Sequence, residues 1–181
     1  ITEAPDHRCD AVALGSVPDG GEIATGMSWS NLCATEDSDD PINDMFTADH
    51  SVWFTFVAPD SRHVTIQANS DQNRDSGGLD AVDLQLAVFD NETVQCNGDF
   101  ELTSASYSTD SFNENMELSC LTAGATYYIL VNGGPDDRGG VFSLTITDEG
   151  YDPVVEQLDV THCFGDPLIV GGTTITQDGP Y

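Results

Sequence analysis

The sequence predicts an all-β fold, an antiparallel β-sandwich of jelly-roll type with a C-terminal β extension. Three observations predict it. Short runs alternate apolar and polar side chains with a period of two, turn residues (Gly, Asp, Asn, Pro) separate the runs, and a helical period is hard to find. Apolar residues make up 39% of the 181 positions, enough for one hydrophobic core and a remnant.

Taken along the chain, residues 11–17 and 22–25 read as two weak strands. "SVWFTFVAP" puts Val52, Phe54 and Phe56 on one face and Trp53, Thr55 and Val57 on the other. "HVTIQA" alternates Val64, Ile66 and Ala68 with polar partners, and "DLQLAVFD" alternates Leu84, Leu86 and Val88. Another weak strand is expected near Met116 to Leu121. "TYYILVNGG" and "VFSLTITDEG" repeat the pattern through Tyr128 and Leu130, then Phe142, Leu144 and Ile146. About eight short strands with tight turns make a sandwich. The expected sandwich spans 1–147. "DEGYDPVVEQ", polar and aperiodic, is expected to be a linker over 148–157, and strand-like sequence resumes over 158–181.

Charge excludes several partners. The chain has 32 acidic residues, no lysine, and only Arg8, Arg62, Arg74 and Arg138 as full cations, a net charge of −28. Nucleic acid and anionic membrane surfaces both need cations, so neither is expected as a partner. The longest apolar run falls far short of the roughly 18 residues that cross a bilayer, so no membrane insertion is expected. No basic-then-apolar segment opens the chain, and Ile1 is expected to be a processed or trimmed start.

The five cysteines are Cys9, Cys33, Cys96, Cys120 and Cys163. None forms a C-x-x-C pair, which argues against a zinc ribbon or a thioredoxin-like site. Cys9 to Cys33 and Cys96 to Cys120 are equal separations, which suggests two local bridges. Each would contribute about 3 kcal/mol by loop closure. Bridges imply an oxidising location outside the cytoplasm. Spacing alone leaves other connectivities open.

The order of "SVWFTFVAPDSRHVTI", "DLQLAVFD", "LTAGATYYILVNGG" and "GGVFSLTI" resembles the bacterial pre-peptidase C-terminal type of domain, in the versions carried by large secreted proteins of Bacteroidetes-like bacteria. Cys9 followed by "DAVAL", and Cys33, also look like that family. The resemblance covers residues 8–147. It implies a jelly-roll-like accessory module without catalysis, and it supports the bridges Cys9–Cys33 and Cys96–Cys120. "CFGDPLIVGGTTITQDGPY" resembles the start of a short repeat, C-x-G-D…G-G…G-x-Y, of giant surface and gliding-associated proteins. Such repeats continue beyond the tyrosine, where this sequence stops. That leaves Cys163 without its expected downstream partner.

"DQNRDSGGLDAVD" is the candidate metal loop. Asp71, Asn73 and Asp75 have the D-x-N-x-D spacing in which alternate side chains of a tight loop converge, and Asp80 or Asp83 would close the shell around a calcium ion. "ATEDSDDPINDMFTAD" is acidic without ligand spacing and reads as a solvated loop. "NGGPDDRGG" reads as a hairpin turn. His7, His50, His63 and His162 lack metalloenzyme spacing, and no G-x-S-x-G elbow occurs, so no enzyme activity is expected. "NET" at Asn91 is a formal glycosylation sequon on an expected turn.

The expected function is therefore a structural or interaction module of an extracellular surface filament or adhesin. It would join copies of itself, or adjacent modules, by strand complementation. Cys163, Leu168, Ile169, Val170 and Ile175 would make the contact. The alternative is a calcium-dependent carbohydrate- or ligand-binding accessory module of a secreted enzyme, with glycans as partners. Trp29 and Tyr107 would then be its exposed aromatics.

Overall fold

The period-two runs fold as strands. In a computed structural model, the described residues are 1–35, 50–70, 84–90, 101–107, 113–133, 139–151, 168–170 and 173–175. Their elements in chain order are β1 (Thr2–Glu3), a single 3-10 turn (Arg8–Asp10), β2 (Val12–Ser16), β3 (Glu22–Ala24), β4 (Trp29–Ser30), β5 (Val52–Val57) and β6 (Val64–Ser70). These are followed by β7 (Leu84–Asp90), β8 (Glu101–Tyr107), β9 (Asn113–Leu118), β10 (Thr126–Gly133), β11 (Val141–Asp148), β12 (Leu168–Val170) and β13 (Thr173–Ile175).

Two sheets form the sandwich. The first runs β1-β4-β11-β6-β9 with β3 also on β11, and the second runs β2-β5-β10-β7-β8. The expected antiparallel pairing holds for the central strands. Two edge pairs, β1 with β4 and β2 with β5, are instead parallel. Both join strands far apart in sequence, and long connections are what a parallel pair requires. The N-terminal segment serves both sheets. The Ala4 amide donates to the Ser30 carbonyl at 2.9 Å, and the Trp53 amide donates to the Pro5 carbonyl at 3.0 Å.

The inward residues fill one core. Val52, Phe54 and Phe56 from β5, Val64, Ile66 and Ala68 from β6, and Leu84, Leu86 and Val88 from β7 pack with Ile129, Val131, Phe142, Leu144 and Ile146. Phe54 meets Phe142 across the sheets edge-on, ring centroids 6.0 Å apart, and Trp29 edge-on at 5.3 Å. Phe56 stacks on Tyr127 at 5.7 Å. Edge-to-face rings add to area burial because the positive ring edge meets the negative face.

The expected strand at Met116 to Leu121 ends earlier, at Leu118. Cys120 has φ +62°, which turns the chain out of the sheet, and the Leu121 amide then donates to the Arg62 carbonyl at 3.1 Å.

The expected disulfides need correction. Cys33 and Cys120 carry free, exposed thiols, so neither Cys9–Cys33 nor Cys96–Cys120 forms. Cys9 is disulfide-bonded, but not to either of them. Cys96 and Cys163 lie outside the described residues. Equal separations in sequence carry no information about spatial approach. Cys33 sits in the bend after β4 and Cys120 in the left-handed turn after β9.

Candidate interaction site

β12 and β13 form a two-stranded antiparallel sheet of their own. Leu168 faces Ile175, Ile169 faces Thr174, and Val170 faces Thr173. This register leaves two residues, Gly171 and Gly172, between the paired ends. Gly171 and Gly172 themselves lie outside the described residues. A two-stranded ribbon this short is marginal by itself in water. Among the described residues its strands pair only with each other, and no other described strand pairs at their outer edges. Such an edge is a template for another strand.

The sandwich has one end rich in buried polar groups. Fully buried Asn31 accepts from the Gly140 amide at 2.8 Å and donates through Nδ2 to the His50 carbonyl at 3.1 Å. The His50 amide donates to Asn132 Oδ1 at 3.0 Å, and Asn132 Nδ2 donates to Gln85 Oε1 at 2.9 Å. This chain of side-chain bonds ties the first sheet to the second where β6, β8 and β10 end.

The proposed calcium ligands Asp71, Asn73, Asp75, Asp80 and Asp83 lie outside the described residues, in the connection from β6 to β7. Their flanks are described. Ser70 is buried, and among the described residues its hydroxyl has no hydrogen-bond partner. Glu114 of β9 is also buried; its register partner is Ala68, two residues before Ser70. Among the described residues no group of three or more His, Cys, Asp or Glu side chains is arranged to hold a metal ion.

At the opposite end, Asp148 is the anchor. It accepts from Ser61 Oγ, from the Gly20 amide at 2.6 Å and from the Gly150 amide at 2.9 Å. Burial pushes its carboxyl pKa up. The bonds from Ser61, Gly20 and Gly150, with the nearby His63, outweigh burial and hold it below the usual carboxylate value. A depressed folded pKa contributes stability above the unfolded pKa, and that stability is lost as pH falls through the folded value. Asp148→Asn is therefore expected to cost about 1 to 2 kcal/mol at pH 7. The gap to the native chain should stay constant down to about pH 4 and narrow below it. Urea midpoints at pH 7, 5 and 3 check this, and an undiminished gap at pH 3 would contradict it.

Trp29 is half-buried against Phe54. The side chain of Tyr107 lies outside the described residues. Trp53 is fully buried, and Tyr151 is exposed. Of the histidines, His63 Nε2 meets Glu117 Oε1 at 2.8 Å across β6 and β9, and His7 Nδ1 accepts from the Cys9 amide at 3.1 Å.

Among the described residues no helix is long and apolar enough to cross a membrane. No protein-family model matches the chain, and no curated protein matches it.

Proposed function

We propose that this chain is a non-catalytic structural module of an extracellular surface filament or adhesin, joined to its neighbours through the β12–β13 ribbon. The observation that carries the reading is the separate two-stranded sheet, whose outer edges are unpaired among the described residues. Backbone pairing at such an edge supplies affinity, and alternate side chains supply specificity. The neighbours are copies of this chain or adjacent modules of one surface protein. The kinship with pre-peptidase C-terminal domains and with the C-x-G-D repeat belongs to this proposal, as does the location outside the cell. Electron microscopy of the full chain tests it. Ordered filaments or chains of particles support it, and isolated particles at every concentration oppose it.

The reading includes one calcium ion in the connection between β6 and β7. Buried Ser70 and buried Glu114 beside its flanks favour it, because a low-dielectric site rewards a cation that neutralises carboxylates. After thorough chelation, saturating calcium is expected to raise Tm by several degrees through mass action on the folded state. An unchanged Tm refutes this part alone.

A further inference from the structure

Two free, exposed thiols, Cys33 and Cys120, stand at opposite ends of the sandwich. Cys33 lies in the turn closed by the Ala34 amide on the Asn31 carbonyl at 3.1 Å. The Asn31 amide donates to the Gly140 carbonyl at 3.2 Å, just before β11 begins. Cys120 lies in the turn after β9, where the Leu121 amide donates to the Arg62 carbonyl at 3.1 Å. Arg62 leads into β6, whose first residue, Val64, pairs with Asp148 at the far end of β11. The eight residues of β11 thus run between the two thiols, a separation of roughly 24 Å. A disulfide needs Cα atoms within about 7 Å, so the two thiols do not join within one copy. Cys9 is already in a disulfide and is not open to either.

We infer that Cys33 of one copy and Cys120 of the next form an intermolecular disulfide that locks copies end to end. The inference rests on the filament reading above and names a covalent joint between its subunits. The joint links unlike ends, so it is heterologous. Each added copy brings a thiol at its other end, and the contact propagates where a two-fold dimer would stop. The Cys120 end is also the end at which β11 finishes, so the chain sets out toward the ribbon from that pole. Charge gives the joint a purpose. Each copy carries −28, and copies at close contact repel, most strongly at low salt. A covalent bond holds against that repulsion.

A small-molecule disulfide is the oxidant. The Cys33 thiolate attacks one of its sulfurs, which forms a mixed disulfide and releases one small thiol. The Cys120 thiolate of the next copy then attacks the Cys33 sulfur and releases the second. One disulfide is broken and one is made. The two protein thiols are oxidised, and the reagent is reduced to two thiols that take up their protons.

Non-reducing electrophoresis of the full chain tests this, after concentrated protein is incubated with oxidised glutathione. The native chain should give a ladder of dimers, trimers and larger multimers that dithiothreitol collapses. Cys33→Ser and Cys120→Ser, both small changes at exposed positions, should each stay monomeric. Mixed in equal amounts, the two variants should give dimers and nothing larger, because each brings one of the two thiols. Peptide mapping of that dimer should recover Cys33 joined to Cys120. A native chain without a ladder, multimers that persist in either single variant, or a mixed dimer joined through other cysteines overturns the inference. Sedimentation of the Cys33→Ser/Cys120→Ser double variant keeps the two readings apart. If it assembles while the native chain gives no ladder, the cross-link falls and the filament reading stands. If it never assembles while the native chain gives the ladder, the cross-link stands and the ribbon is not the connector.

Discussion

Phe54→Ala should lower stability by about 4 kcal/mol, a large share of the roughly 5 to 15 kcal/mol that holds a typical domain. Phe54 is fully buried at the centre of the sandwich and bridges both sheets through Phe142 and Trp29. Alanine removes the ring's burial and both edge contacts, and it leaves a cavity that strands on both sides are too constrained to fill. Tm should drop by roughly 10 °C. Urea unfolding in moderate salt, where self-repulsion of the −28 charge is screened, gives the cleanest comparison. Thr55→Ala, one residue along on the outward face, should cost far less. Equal losses at the two positions would mean that Phe54 is not at the centre of the core.

Gly139→Ala should cost about 3 kcal/mol, and for a different reason. A Cβ there would lie 2.4 Å from Leu32 Cα, 2.8 Å from the Asn31 carbonyl oxygen and 2.9 Å from the Leu32 nitrogen. All three are backbone atoms, so no side chain can rotate away. The segment must shift, and the shift breaks the seam in which Asn31 Oδ1 accepts from the Gly140 amide. Overpacking and an unsatisfied buried amide each cost about 1 to 3 kcal/mol. Gly124→Ala separates collision from conformational strain. Gly124 has φ +73° but open space around its Cα, so it should lose only about 1 kcal/mol. Chemical denaturation of both variants checks the pair, and a Gly139→Ala chain as stable as the native one would contradict the close approach.

The central strands were legible because alternation reports burial directly. Val52, Phe54 and Phe56 read as one inward face and are one. β8, "ELTSASY", escaped notice because it offers little apolar contrast, and pairing with β7 recruits it into the sheet. β1 is too short to show a period at all. The burial of Trp53 and Leu130 on the outward face was also hidden, since alternation says which residues share a face and nothing about what covers it. The disulfides failed for a related reason, because separation along a chain is not distance in space. The ribbon fared better. Its apolar and β-branched residues marked strand structure, and the antiparallel pairing of Val170 with Thr173 gives that structure a partner within the segment. The proposed calcium ligands were legible only through the D-x-N-x-D spacing, and they lie outside the described residues.

The central claim is that the sandwich stands by itself and the ribbon joins it to its neighbours. Sedimentation velocity of the full chain beside one lacking residues 158–181, over a range of concentrations, tests it most directly. The full chain should assemble as concentration rises. The shortened chain should stay a single species and keep its melting transition, because among the described residues neither sheet of the sandwich takes β12 or β13 as a strand. A shortened chain that assembles as before, or a full chain that never assembles, would contradict the account.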